Sequence, residues 1–495
     1  MAQYLLAIDQ GTTGSTALVM DTSGKTLGRA NVEFTQHYPK PGWVEHEPDD
    51  IWDSVVSAIG KALDQASILG NQIAGIGITN QRETTVLWDR ASGKPVHRAI
   101  VWQCRRTADF CAHLKKQGHQ DHVREVTGLV IDPYFSGTKI AWLLKNVPEA
   151  RKRAEAGDLA FGTIDTYLAY RLTAGKAHVT DASNASRTLL MNLQKLQWDQ
   201  EMCDLLGVPA SVLPKIVGSA EIIGETHSVP GLPDGIPIAG MAGDQHAALF
   251  GQQCLDVGDV KCTYGTGAFV LVNTGNRPVA SRFGLLSTVG WKIGQETVYA
   301  LEGSAFIAGA AVQWLRDGLG LIESAGEIES LARKVDGSDG VVFVPALAGL
   351  GAPYWDAEAR GLVCGITRGT TAAHLAYATL EGIAHEVSDL IGAMRDDVGT
   401  EIGRIRVDGG AAANDLLMQM QADLAGITVE RPKELETTAR GAAMLAAVGL
   451  GLVKSAREAS GMFEVNRTFE VKQHPDQRQS QRNAWAEAIR RARGN

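Results

Sequence analysis

Asp9 ends an apolar run at residues 4–9, and the next five residues, Gln10-Gly11-Thr12-Thr13-Gly14, make a turn rich in Gly and Thr. Such a turn offers backbone N–H groups and hydroxyls at close range, which suits an anion such as phosphate. A carboxylate beside it would repel phosphate directly. Asp9 makes chemical sense as the group that holds a Mg2+ bridging phosphate oxygens, chiefly through water. A turn of the same design, Tyr264-Gly265-Thr266-Gly267, stands about half the chain further on. Two such turns facing one another would clamp phosphates from opposite sides. Two more carboxylates end apolar runs: Asp244, in Gly243-Asp244-Gln245-His246, and Asp408, in Asp408-Gly409-Gly410. Taken singly, Asp9 reads as a turn cap, Asp244 as a helix cap and Gly410 as a plain strand-to-helix turn. Gly-Thr hairpins are also common. Taken together, the residues describe a nucleotide cleft between two halves.

The elements that must position these groups can be read from the hydrophobic pattern. Residues 4–9, 15–20 and 25–34 read as an antiparallel meander joined by tight turns. Residues 257–263 and 268–273 read as a second hairpin of the same kind, so the chain reads as two related halves. Residues 47–69 have helical apolar spacing and precede a strand at 73–79. A buried strand at 236–243 leads to Asp244, and a strand at 404–407 leads to a helix running through Ala425. Strands alternating with helices predict an α/β fold. The division between halves is expected at 251–258, giving domains 1–251 and 252–495, with a hinge near Gly251. The stretch from Pro475 reads as a charged surface helix.

Composition closes several alternatives. A chain of 495 residues accommodates two to four domains of ~100–200 residues each. Its net charge of −9 argues against a nucleic-acid footprint, which needs a basic patch. Glycine supplies 55 residues against 16 prolines, which points to tight turns or close backbone approach rather than disorder. The N-terminus has no basic leader, and the longest apolar stretch, 442–453, is too short to span a bilayer and reads as a buried helix. The six cysteines form no CxxC pair and read as reduced thiols, so a cytoplasmic protein without membrane insertion is expected. The familiar phosphate loops fail. Gly24-Lys25-Thr26 imitates the end of a Walker A loop but has Val19 where the first glycine must stand, and Gly75-x-Gly77 has Asn80 in place of a third glycine.

Asp9-Gln10-Gly11-Thr12-Thr13, Tyr264-Gly265-Thr266-Gly267 and Asp408-Gly409-Gly410 resemble the phosphate-1, phosphate-2 and adenosine motifs of the sugar-kinase/Hsp70/actin superfamily. The segment from Tyr134-Phe135-Ser136-Gly137-Thr138-Lys139 to Leu143 is similar to the first signature of the FGGY carbohydrate kinases. Gly361 through Gly365-Ile366 to His374-Leu375 and Glu381 is similar to the second. Pro41 to His46, Thr79 to Thr85 and Ile100 to Arg106 resemble the glycerol-phosphorylating branch of that family. The match runs from about Tyr4 to beyond Gly441. It implies two ribonuclease-H-like, actin-like ATPase domains with the active site in the cleft between them. It also implies ATP-dependent phosphorylation of glycerol to sn-glycerol 3-phosphate, with Mg2+ at Asp9 and Asp244. Carried over residue by residue, it implies that Arg82, Glu83, Tyr134, Asp244 and Gln245 hold the polyol, with Trp102 and Phe269 along its carbon backbone. Asp244 would be the general base. Thr12, Thr13, Gly14, Thr16 and Thr266 match phosphate-contacting positions, and Gly309, Gln313, Gly410 and Asn414 match those lining the adenosine pocket. A homo-oligomer, dimer or tetramer, is expected.

Two departures matter. Well-studied bacterial members carry an Arg that touches phosphate where this chain has Thr16. Weaker phosphate binding, or a substitute Lys or Arg from elsewhere, is therefore expected. Some members bind fructose 1,6-bisphosphate through a glycine-rich loop carrying an Arg. Here that loop is Gly231-Leu232-Pro233-Asp234-Gly235, acidic and without Arg, so no inhibition through it is expected, and nearby His227 reads as a surface residue. The rival readings are a kinase for another polyol or sugar on the same scaffold, and a non-catalytic actin- or Hsp70-like nucleotide switch. The run Asn80-Gln81-Arg82-Glu83 argues against the first, and a polyol pocket around Asp244 argues against the second.

Overall fold

The three-stranded meander implied by the first turns forms from Tyr4–Gln10, Gly14–Asp21 and Thr26–Glu33. The computed structural model describes residues 3–494; Met1, Ala2 and Asn495, which the expected domain limits include, lie outside the described residues. Strands Ile73–Asn80 and Pro237–Gly243 lie parallel to the first strand on its other side, and the short Gly224–Glu225 strand closes that edge. Parallel neighbours need a crossover. The Pro48–Ala66 helix supplies the first one, and its Ile51, Val55, Ile59 and Ala62 are buried against the sheet.

The second half repeats this plan. Val260–Tyr264, Ala268–Gly275 and Glu296–Ala305 form an antiparallel set, and Arg404–Asp408 and Thr428–Pro432 follow parallel to the first of them. Two additions extend the sheet. Leu286–Ile293 pairs outside the Glu296–Ala305 strand, and Val465–Phe469 closes the opposite edge. The long Ala372–Val398 helix and the Asp415–Ala425 helix build its core. The Leu286–Ile293 and Glu296–Ala305 pair is not among the strands expected from the sequence. Its signal is nonetheless present, as two β-rich runs around Gly294, which sits at φ +58°.

Each sheet turns one face toward the other half. Two helices cross between the faces: Asp244–Gly251 and Thr437–Gly449. The apolar stretch read as a buried helix at 442–453 is buried only from Ala442 to Ala447; its helix ends at Gly449, Gly451 at φ +71° turns the chain, and Leu452 is exposed. The glycine surplus finds part of its use here. A Cβ on Gly441 would lie 1.9 Å from the Ala247 carbonyl oxygen, and one on Gly77 would lie 2.1 Å from that of Ala442. Backbone packs directly on backbone at this crossing, so Gly77 serves helix-on-sheet packing, while Gly75 makes room for the Leu450 side chain.

The stretch between Ile73–Asn80 and Pro237–Gly243 builds a core of its own around Val101, Phe135, Ile140, Phe161 and Leu190. It supplies the partly buried Trp102 and Tyr134 and the wholly buried Arg187.

Candidate active site

Arg82 and Glu83 follow directly on the Ile73–Asn80 strand. The turn is tight: Thr84 N donates to the Arg82 carbonyl at 2.7 Å, and Glu83 is held at φ +60°, where a branched or long side chain is uncommon. The Ser136 and Thr85 hydroxyls donate to the Glu83 carbonyl at 3.0 and 3.1 Å and pin it there. Both side chains are almost wholly buried. Arg82 Nε meets Asp244 Oδ1 at 2.9 Å, its Nη1 donates to Glu302 Oε2, and its Nη2 reaches the Tyr134 hydroxyl at 3.4 Å. Arg187 Nη2 donates to Glu302 Oε1 at 2.8 Å and its Nε to Glu83 Oε1 at 2.7 Å. The result is a continuous chain of alternating charge, Asp244–Arg82–Glu302–Arg187–Glu83, whose middle carboxylate comes from the other half of the molecule.

Burial opposes the charge on Glu302, but the Arg187 and Arg82 guanidiniums outweigh it and hold its carboxyl down to about 2. Burial pushes the Glu83 carboxyl up, and Arg82 and Arg187 offset that only in part. Tyr134 is presented by the loop before the Ser136–Asn146 helix. Lys139, fully buried, donates to the carbonyls of Pro133, Tyr134 and Phe135, and burial lowers its ammonium to about 8. The Trp102 ring lies edge-on to Tyr134 at 5.6 Å. Its indole N–H donates to Thr12 Oγ1 at 2.9 Å, so Trp102 also ties the pocket to the first Gly-Thr turn.

Asp244 opens the Asp244–Gly251 helix, and its Oδ1 accepts from Gln245 N at 2.6 Å. Its side chain is about one-third exposed to the cleft. Gln245 is buried. Lys261, entirely buried, donates to Gln245 Oε1 and to Thr263 Oγ1 at 3.0 Å. An ammonium only donates, so the Gln245 oxygen is committed to it, and the Gln245 NH2 is the end left for other partners. Register places Lys261 and Thr263 beside Leu271 and Phe269 on one strand and beside Arg406 and Asp408 on the other. Phe269, half-buried, lies between Thr263 and Ser304 on this face. Burial raises the Asp408 carboxyl, Lys261 offsets it in part, and the Thr437 hydroxyl donates to its Oδ2.

The two Gly-Thr turns are built alike. Gly11 N donates to Gly14 O at 2.9 Å, and Gly265 N donates to Gly267 O at the same distance. Asp9 pairs in register with Thr16, and Thr16 with Asn31. The Thr16 hydroxyl accepts from Asn31 Nδ2 at 2.9 Å. Burial, then the charges of Asp244, Glu436 and Asp408, raise the Asp9 carboxyl to about 8 against the opposing pull of Arg29. Among the described residues, no group of three or more His, Cys, Asp or Glu side chains could hold a bare metal ion.

Beside the second turn lies a cavity of about 380 Å3, lined by Thr266, Gly309, Gln313, Gly410 and Asn414 together with Val312, Ile328, Leu380 and Leu417. Ala308 N and Ala310 N donate to Thr266 O, and Gly309 N to Gly265 O, so the turn is fastened to the start of the Gly309–Asp317 helix. A Cβ on Gly309 would lie 2.6 Å from Gly265 O. Asn414 caps the Asp415–Ala425 helix by accepting from Leu417 N at 2.9 Å. The expected adenosine-side residues therefore line one cavity; of the expected polyol-side residues, Asp244 and Tyr134 bond Arg82, Glu83 joins through Arg187, Trp102 packs on Tyr134, Gln245 follows Asp244, and Phe269 is placed only by its strand register.

Family models of the FGGY carbohydrate kinases match this chain twice, the N-terminal domain over residues 4–251 and the C-terminal domain over 260–450. The chain belongs to the FGGY family of carbohydrate kinases. A relative named glycerol kinase from Myxococcus xanthus is 58% identical, covering 99% of both chains. One of the same name from Bdellovibrio bacteriovorus is 54% identical, again over 99% of each. Among solved structures, a Plasmodium falciparum glycerol kinase with ADP superposes with a TM-score of 0.93 at 36% identity, covering 99% of this chain and 98% of that one.

Within this FGGY kinase, three buried charges were not read from the sequence as site residues: Arg187, Lys261 and Glu302. Glu302 sits in the apolar run Val298 to Leu301 and Gly303 to Ala305, where a charge at a buried strand position is itself a signal. Arg187 and Lys261 give the same signal more weakly. The 231–235 loop is closed on itself: Gly235 N donates to Thr226 O at 2.9 Å, and Asp234 Oδ2 meets His227 Nδ1 at 2.8 Å. Among the described residues, no helix is long and apolar enough to cross a membrane.

Proposed function

We propose that the protein transfers the γ-phosphoryl group of ATP to a terminal hydroxyl of glycerol, giving sn-glycerol 3-phosphate and ADP. The observation that carries this reading is the meeting of Arg82, Glu83, Tyr134 and Asp244 at one edge of the cleft, within the same chain of charge that ties the two halves together. The full-length likeness to relatives named glycerol kinase supports glycerol as the acceptor.

The chemistry of the side chains suits a small triol. Each hydroxyl both donates and accepts, so a guanidinium, a carboxylate and an amide NH2 can satisfy it completely. Arg82 and the NH2 of Gln245 donate; Glu83 and Asp244 accept. Trp102 and Phe269 cover the carbon backbone and exclude water. In the transfer step a bond forms between the glycerol oxygen and the γ-phosphorus as the bond to the bridging β–γ oxygen breaks. The hydroxyl proton passes to Asp244 Oδ2, the oxygen left over by the Arg82 and Gln245 bonds to Oδ1. The transition state is loose, so orientation and charge matter more than early deprotonation. Thr12, Thr13, Gly14 and Thr266 bind the phosphates, and the cavity beside Gly309 and Gly410 takes the adenosine.

Asp9 and Asp244 would hold Mg2+. A pair of carboxylates, short of a full ligand cage, fits an ion that keeps several waters and takes its other oxygens from phosphate. Bound there, it would supply charge neutralisation of the phosphates.

The test is ADP release over a panel of glycerol, erythritol and pentuloses, with the phosphorylated product identified by 31P NMR. Glycerol should be preferred by at least about tenfold in kcat/KM. Equal turnover of a pentulose, or ATP hydrolysis independent of any polyol, would exclude the reading.

A further inference from the structure

Three further carboxylates, Asp244, Glu436 and Asp408, lie close enough for their charges to act on Asp9. A nucleotide tail adds several more negative charges, and a divalent ion offsets only two of them. Cations in the cleft must balance the remainder. Arg82 is held on the acceptor side of the cleft by Asp244, Glu302 and Tyr134, and Lys261 is held by Gln245 and Thr263. Both are buried. Arg29 is different. It stands on the Thr26–Glu33 strand two residues before Asn31, so it shares the sheet face of Asp9, Thr16 and Asn31. Its charge acts on Asp9 in opposition to the three other carboxylates. Among the described residues its guanidinium has one ion-pair partner, Glu436, at 2.7 Å, and both side chains are about 40% exposed, at 44% and 38%. An exposed pair of this kind is a weak tether. Glu436 belongs to the other half, immediately before Thr437, whose hydroxyl is bonded to Asp408.

We propose that Arg29 is a nucleotide-phosphate ligand, which leaves Glu436 for the phosphate tail when a nucleoside triphosphate enters. The inference rests on the nucleotide part of the function proposed above and not on the identity of the acceptor. A guanidinium gains by the exchange, because a phosphate offers paired oxygens and more charge than one exposed carboxylate. Loss of the Glu436 bond also frees the two halves from one contact across the cleft.

The test is calorimetric binding of ATP, ADP and adenosine to the whole protein without polyol, alongside KM values for both substrates. Arg29→Gln should weaken ATP about tenfold, ADP less, and adenosine not at all, with the glycerol KM unchanged. Arg29→Lys should fall between. Glu436→Gln removes the competitor and should tighten ATP about twofold to threefold. In the Arg29→Gln background, Thr16→Arg puts a guanidinium back on the same face one strand nearer Asp9, and ATP affinity should return to within about threefold of the parent. The proposal is overturned if Arg29→Gln binds ATP within twofold of the parent, or if it weakens adenosine and glycerol as much as ATP. If Glu436→Gln binds ATP no more tightly, the exchange itself is wrong. Because binding is read without acceptor, a failure of glycerol as substrate leaves this test intact.

Discussion

Asp244 and Gln245 are adjacent in the chain, yet their tasks are separated by what each touches. Asp244 accepts from Arg82 and keeps one oxygen toward the cleft, whereas Gln245 is turned inward and locked by Lys261. Asp244→Asn keeps the shape but removes the proton acceptor, so kcat should fall by roughly 10²–10⁴-fold while ATP affinity changes little. An Asn variant with near-parental turnover would remove Asp244 from the chemistry. Lys261→Met releases the Gln245 amide, which then turns freely. The glycerol KM should rise about threefold to tenfold, with a smaller change in kcat, in line with the ~1 kcal/mol of one hydrogen bond. A parental glycerol KM would show that Lys261 does not orient the amide. At this scale Asp9, Thr12, Thr266, Asp244 and Asp408 were legible, because a turn motif is local. Glu302 was not, because it becomes a site residue only when a strand of one half lies against an insertion of the other.

At the scale of elements, the site depends on where two turns and two helices end. The turns need Gly where neighbouring backbone passes close: a Cβ on Gly14 would lie 2.9 Å from the Val32 carbonyl oxygen, and one on Gly267 2.6 Å from that of Ala305. The crossing helices need Gly likewise, because there is no room for a side chain between them. Gly441→Ala would place a methyl group 1.9 Å from the Ala247 carbonyl oxygen, and backbone cannot move aside as a side chain can. We expect a loss of ~3 kcal/mol or more, read as a lowered midpoint in urea unfolding, with a rise in both substrate KM values because Asp244 heads the displaced helix. Gly441→Ala with unchanged stability would show that the two helices can part at this crossing without cost. The doubled meander was legible from alternating hydrophobicity. The limits of the Thr437–Gly449 helix were not, since every residue from Ala442 to Ala447 is buried and the apolar run does not mark where the backbone turns.

Taken whole, the molecule carries acids far from the cleft that tune its stability. Glu386 lies on the Ala372–Val398 helix, buried, with Asp389 one turn away. Burial, and then the Asp389 charge, raise its carboxyl to about 8. The folded chain therefore keeps a proton there that the unfolded chain loses near the ordinary value of 4.5. Its contribution to stability is full below about pH 4.5 and declines as the pH rises toward 8. Glu386→Gln is neutral at every pH. It should match the parent near pH 5 and melt ~2–4 °C higher at pH 9, measured by calorimetry. A constant difference across that range would assign the effect to packing and not to the proton.

The sequence by itself determined the doubled α/β plan, the two Gly-Thr turns, the carboxylates that end the strands, and a family resemblance that the full-length matches bear out. Those are consequences of neighbours in the chain, which hydrophobic alternation and turn chemistry write locally. Tertiary structure decided the rest. It set Glu302 between Arg82 and Arg187, faced Lys261 toward Gln245, and brought Arg29 across from Glu436. Each of those pairs joins residues distant in sequence. The Glu302 pairs draw on charges removed from water together, whereas the Arg29–Glu436 pair stays partly exposed, and no residue pattern reports either until both sheets are folded and turned face to face.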